Sequence, residues 1–292
     1  MKTHVLRAAL LLGGACALVP LAGQTPDEAA VPKVLTIARE QIKEGRESAH
    51  EKSEQAWVRA FEKGNLSSHY LGMTAETGPT EAWFLIPYDS FAAVEKARAE
   101  VAKSSVSGDL EAAAAADGEL RTGSRNLLAV FRGELSYRAA DAMAGLPKCR
   151  YMEVTLLRIK YGHEADLAQA AKMLISGDQL SNSDQAVLTY QVISGAPSGT
   201  YFLFEPMESL ARMDEGPARS AAARQAMGER NRQHFESLVA DAVQSTESLL
   251  FSMAPRMSYV SKEFAAQDPA FWNPAPPPPA KPAAKPRHRP AP

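Results

Sequence analysis

The tetrapeptide IKEG at residues 42–45 returns as IKYG at residues 159–162, 117 positions later. Each copy stands before a stretch with helical character. Further matches follow in the same order. TEAWFLIPYDSFA (80–92) resembles SGTYFLFEPMESLA (198–211), with Phe84–Leu85 set against Phe202–Leu203 at an offset of 118, and Pro87, Ser90 and Ala92 against Pro206, Ser209 and Ala211 at 119. NLLAVFRGELSYR (126–138) resembles SLLFSMAPRMSYV (248–260), where Leu127–Leu128 and Ser136–Tyr137 pair with Leu249–Leu250 and Ser258–Tyr259 at 122. An offset that drifts slowly upward is what a duplicated unit with small loop insertions produces. Two copies are too few for a solenoid.

Both copies show the same order of elements. In the first, KVLTIAREQI suits a strand, and residues 45–64 a helix with Trp57, Ala60 and Phe61 on one stripe, ending at Gly64. HYLGMTAE and EAWFLI suit strands about the turn at Gly78–Pro79, with Asp89 or Ser90 placed to cap the helix that follows. A second, Ala-rich helix is expected over 109–121 and a closing strand over 126–138. The second copy predicts a strand at 151–159, a helix at 163–176, strands at 186–193 and 200–205, a long helical region at 208–245 and a strand at 248–260. Each copy therefore reads β-α-β-β-α-β, the ferredoxin-like order, over 33–145 and 150–262.

AWFLI, YFLF, LLAVF and SLLF are unbroken apolar runs. A sheet with helices on one face and water on the other alternates apolar and polar side chains. These strands need both faces covered, and the sheet of the other copy is the economical cover. On these features the chain resembles the dimeric α+β barrel superfamily, in which two ferredoxin-like units press their sheets into a barrel, here as tandem units in one chain of α+β class. The resemblance spans about residues 33–262 and rests on topology and hydrophobic pattern. It implies a ligand cavity. Its members include haem-degrading and quinol-type monooxygenases and chlorite dismutases, so it implies no single chemistry.

The ends differ from the body. Residues 1–23 place Lys2 and Arg7 before an apolar run ending in small residues, the layout of an export signal. The expectation is a cleaved signal and a periplasmic or secreted protein with no transmembrane span in the mature chain. A lipoprotein through Cys16 is disfavoured, because Gly13 stands where a Leu-like residue is wanted and apolar sequence continues past the cysteine. Residues 273–292 hold nine Pro and four Lys or Arg with no acid, and are expected to form a disordered, polyproline-like tail that could touch an anionic envelope surface. Removing the bases of both ends leaves 26 bases against 34 acids in the body, a net charge of −8 that gives no sign of a polyanion partner, so no nucleic-acid partner is expected. With the signal gone, Cys149 is the one thiol and no intrachain disulfide can form.

No phosphate loop, dinucleotide fingerprint, nucleophile elbow, HExxH or CxxC occurs. His50, His69, His163, His234 and His288 lie far apart, so no metal site is predicted. No cofactor is predicted, haem being implied only under an oxidative reading. Trp57, Tyr70, Trp83, Tyr88, Tyr137, Tyr190, Tyr201 and Tyr259 all fall on expected elements, and aromatic residues with one polar tip suit a small apolar ligand, although plain core packing explains most of them. Comparing the copies singles out one place. At the offset of 117, His50 stands where Leu167 does and Glu54 where Ala171 does. With Leu174, these second-copy residues predict a core-facing stripe. His50 and Glu54 would then share a face with Trp57 and Phe61. The alternative is an ordinary solvated pair, since ESAHEKSE is polar throughout. The candidate ligand-binding set is His50, Glu54, Trp57, Trp83, Tyr137 and Tyr259. Absent a catalytic motif, the expected function is a non-catalytic, exported ligand-binding or envelope-associated barrel; the alternative is an oxidoreductase acting on a small apolar molecule.

Overall fold

The computed structural model describes residues 31–274. The readings of residues 1–23 and of the tail beyond residue 274 lie outside the described residues.

The first half runs β1 (Val34–Ile42), α1 (Glu47–Gly64), β2 (Leu71–Ala75), β3 (Glu81–Tyr88), α2 (Phe91–Lys103), α3 (Ser107–Gly118) and β4 (Arg121–Phe131). A short helix, α4 (Ala139–Gly145), leads to β5 (Tyr151–Ile159), α5 (Glu164–Leu180), β6 (Leu188–Ser194), β7 (Thr200–Met207), α6 (Ala211–Ala226), α7 (Glu229–Ala242) and β8 (Val243–Met253). Two helices of one turn each, α8 (Lys262–Ala265) and α9 (Pro269–Trp272), follow. The expected helical region 208–245 is two helices, because Gly228 takes a left-handed φ of +74° between them. β4 begins at Arg121, five residues earlier than the apolar run suggests, and the Ala-rich helix ends at Gly118 rather than at 121.

The repeated tetrapeptide is explained by its three fixed residues. Ile42 and Ile159 are buried strand ends. Lys43 Nζ donates to the Glu119 carbonyl at 2.6 Å and Lys160 Nζ to the Asp241 carbonyl at 2.8 Å, so each lysine caps the C-terminal end of the helix preceding the last strand of its half. Gly45 and Gly162 turn the chain into the first helix with φ of +72° and +85°, a region costly for any residue with a Cβ.

All eight strands close into one antiparallel barrel in the order β1-β3-β2-β8-β5-β7-β6-β4. The two halves are stitched at two seams, β2 with β8 (Met73 opposite Met253) and β4 with β6 (Ala129 opposite Val192). Side chains of Ile37, Met73, Trp83, Met152, Phe202 and Phe251 fill the interior. The other face of β1 and β3 carries Ala38, Ile42, Ala82, Phe84 and Ile86, and packs under α1. This double burial is why the strands are apolar without alternation. Strand pairing also corrects the copy register at one point. Pro87 and Pro206 are equivalent, and the same offset of 119 holds throughout β3 and β7, so Trp83 corresponds to Phe202 rather than to Tyr201. A one-residue slip in a strand exchanges its faces.

Because each half donates strands to both seams, residues 33–145 alone would leave β2 and β4 as open edges above an exposed apolar face. Expressed alone, that segment is expected to aggregate or to pair with itself in size-exclusion chromatography. A stable monomer would contradict the seams' role.

Candidate functional site

The site lies outside the barrel, between the outer face of the first half's sheet and α1 and α3. Alternation along β1 sends Ile37 into the barrel and Glu40 outward. α1 starts just past Gly45 and brings His50 and Glu54, one turn apart, onto the same side; both are buried. Asp117 sits in the last turn of α3, and Arg121 opens β4. A β-bulge at Gln41/Ile42 sets Ile42 opposite Arg121 and aims that side chain back toward Glu40.

His50 Nε2 meets three carboxylate oxygens: Glu40 Oε2 at 2.9 Å, Asp117 Oδ1 at 3.2 Å and Glu54 Oε1 at 3.9 Å. A ring nitrogen carries one proton or one lone pair, so it serves one of them. Asp117 Oδ1 is left buried with no hydrogen-bond partner. Arg121 holds the outer oxygens, donating from Nε to Asp117 Oδ2 at 2.8 Å and from a terminal nitrogen to Glu40 Oε1. Burial, followed by the charges of Glu40 and Asp117, pushes the Glu54 carboxyl up to about 9. Burial and then the charge of Glu40 raise Asp117 as well. Three carboxylates against one guanidinium thus leave the group two negative charges to shed, and the proton on Glu54 does part of that.

Beside this group is a pocket of about 180 Å³ lined by Ala38, Glu40, Glu54, Trp57, Phe61, Tyr70, Phe84 and Ile86. It is apolar except at one end, where the Glu40 and Glu54 carboxyl groups sit. The Tyr70 hydroxyl is buried there without a hydrogen-bond partner. Burial raises its pKa, as does the Glu54 charge.

The duplicate makes the group conspicuous. The strand registers set Glu40 against Leu157 and Arg121 against Val243, and the helices set His50 against Leu167, Glu54 against Ala171 and Asp117, four residues before Arg121, against Val239, four before Val243. Five polar residues of one half are five apolar residues of the other. The bulge itself recurs at Arg158/Ile159, so the fold needs the backbone but not the charges.

The six residues singled out from sequence are distributed as follows. His50 and Glu54 are buried in the cluster, not solvated, and Trp57 walls the pocket. Leu174 departs from the inferred stripe, being 39% exposed. Trp83 lies on the opposite face of the sheet, inside the barrel, with its ring 5.4 Å from Phe202 and 4.9 Å from Phe251 and its Nε1 donating to Glu81 Oε2 at 2.6 Å. Tyr137 serves the other half: it bridges Val187, and its hydroxyl donates to the Ser183 carbonyl. Tyr259 bridges Tyr70 and donates to the Leu66 carbonyl, so it backs the pocket without lining it. Glu40, Asp117 and Arg121 escaped sequence reasoning, although extending the copy comparison by the same offsets would have exposed them. Cys149 is buried, donates to the Tyr151 carbonyl at 3.0 Å, and burial pushes its thiol up to about 12, which makes it unreactive.

Haem, implied by the resemblance under an oxidative reading, does not fit the described histidines. His50 borders a cavity, but its Nε2 is turned to three carboxylates, His163 pairs with Asp166, and His234 bonds Gln169 at the surface. His69 packs against Tyr259, its ring tilted by 42°, and lines none of the described cavities. A histidine-held porphyrin iron needs a ring nitrogen open to an apolar slot.

No protein-family model and no curated protein matches this sequence. Solved structures do resemble it in shape. A monooxygenase candidate from Fusobacterium nucleatum subsp. nucleatum is 11% identical, with a TM-score of 0.49 over 77% of this chain and 94% of that one. A mutant chlorite dismutase from Candidatus Nitrospira defluvii is 10% identical, with a TM-score of 0.47 over 82% and 98%. A haem-binding protein from Thermus thermophilus is 11% identical, with a TM-score of 0.41 over 76% and 92%. The expectation of a non-catalytic barrel is corrected here: the neighbours are described in oxidoreductase or haem-binding terms. At such identities they transfer no residue and no substrate. The fold of this chain is an antiparallel α+β barrel closed within a single chain from two ferredoxin-like halves.

Proposed function

We propose that the protein is an oxidoreductase acting on a small apolar molecule held between α1 and the first half's sheet. The observation that carries this reading is the pocket's build: aromatic walls from Trp57, Phe61 and Phe84, and at one end an unpartnered Tyr70 hydroxyl beside two carboxyl groups. A buried hydroxyl without a partner is costly unless a bound molecule completes it. The volume suits a one-ring compound, since a cavity of about 150 Å³ accepts benzene. A hydroxyaromatic or quinol would set its ring against Trp57 and its O–H toward Tyr70 and Glu54. The chain's own residues would then orient the ring and exclude water, with the Glu40 carboxylate at the same end taking the hydroxyl proton; a hydroquinone would pass two electrons and two protons to dioxygen, leaving a quinone and hydrogen peroxide. The signal-like segment 1–23 would place this activity outside the cytoplasm.

Hydroquinone and simple phenols are the probes. They are expected to quench the emission of Trp57 saturably, as judged against Trp57→Phe, and a hydroquinone is expected to support oxygen uptake. Ala38→Leu, which adds three carbons to the pocket wall, is expected to weaken binding at least tenfold while the fold is kept. No quenching and no oxygen uptake with any of these compounds would end the proposal.

A further inference from the structure

We propose that Glu40, His50, Glu54 and Asp117 form a binding site for one divalent first-row metal ion of the manganese or iron type. One ligand atom from each residue lies within 4.8 Å of all the others, and all four residues are buried. Two ligands on one ion stand at most about 4.4 Å apart when the bonds are 2.0–2.2 Å, so shifts of a few tenths of an ångström would bring the four onto a common centre. The group is more than a cluster of acids. The imidazole nitrogen points at its middle, and Asp117 Oδ1, on a residue 1% exposed, is turned into the same space with no hydrogen-bond partner.

Outer contacts prepare the ligands. Arg121 takes Glu40 Oε1 and Asp117 Oδ2, leaving Glu40 Oε2 and Asp117 Oδ1 facing His50. Partners on the far oxygens of carboxylate ligands are what orients such ligands in metal sites. Charge agrees, for three carboxylates and one guanidinium sum to −2, which a divalent cation cancels. Three oxygens, one imidazole and no thiolate select against copper(I) and thiolate-bound zinc and favour manganese(II) or iron(II). The second half, with Leu157, Leu167, Ala171 and Val239 in the corresponding places, offers no donor. This inference does not rest on the oxidoreductase reading: its test reads binding and stability, so either can fail alone.

Full-length protein stripped with chelator is titrated with Mn²⁺, Fe²⁺ under argon, and Co²⁺. One equivalent is expected to bind, with visible absorption bands from Co²⁺ and release of protons into weakly buffered solution as the ligands deprotonate. At 100 times Kd, the Tm is expected to rise by about 5–10 °C. His50→Gln and Asp117→Asn should each weaken binding at least tenfold, and Glu44→Gln, exposed nearby, should leave it unchanged. Replacing the whole group with the second half's residues supplies a folded control should single variants fail to fold; that control should neither bind Co²⁺ nor gain stability from it. Absence of a Co²⁺ band and of any Tm rise with all three ions in the wild-type chain would overturn the site, as would binding unaffected by replacing the group.

Discussion

Arg121→Leu is expected to cost about 3–5 kcal/mol in a urea titration of chelator-treated protein at pH 7, the range for breaking a buried charge network by removing one partner. The side chain is 22% exposed, but its two partners are far more enclosed, Asp117 at 2% and Glu40 at 10%. Without the guanidinium, both carboxylates and Glu54 confront each other across His50. The Tm should fall by about 10 °C. Lowering the pH to 5 should recover part of the loss, because protonating the freed carboxylates removes the repulsion. A loss under about 1 kcal/mol would show that Arg121 behaves as a surface ion pair.

Replacing the group entirely should act in the opposite direction. Glu40→Leu, His50→Leu, Glu54→Ala, Asp117→Val and Arg121→Val together install the second half's residues in the first. Exchanging a buried ionic group for apolar residues is often neutral or stabilising by about 1–4 kcal/mol. The chain should therefore gain stability while losing metal binding and any oxidase activity. The effect should grow with pH. In the unfolded chain Glu54 gives up its proton near 4.5, whereas in the folded chain it keeps it up to about 9. Between those values the folded state binds more protons, so the stability of the metal-free wild type falls as pH rises. The fivefold replacement removes this component of the slope. Denaturation midpoints at pH 5, 7 and 9 for both chains measure it. A replaced chain that is less stable than wild type at pH 9 would mean that the charged group holds the fold together.

Sequence alone was enough to determine the architecture, and the reason is redundancy. Two copies each had to satisfy the same backbone, so Gly45 and Gly162, Lys43 and Lys160, and the doubly apolar strands repeated in order and pointed to a barrel made of two like halves. The same redundancy revealed His50 and Glu54, because Leu167 and Ala171 showed what a purely structural residue looks like there. Only the tertiary structure could decide which face a strand residue takes. In runs such as AWFLI both faces are buried, and no alternation distinguishes Trp83 in the barrel from Phe84 beneath α1. Nor could sequence show that the segments following β4 and β8 reach across the seams to the opposite half, which carries Tyr137 away from the site and brings Tyr259 beside it. Glu40, Asp117 and Arg121 come from three elements spread over 81 residues. Their meeting at one imidazole depends on the β1–β4 bulge and on how α3 ends, which are properties of packed backbone that no local pattern encodes.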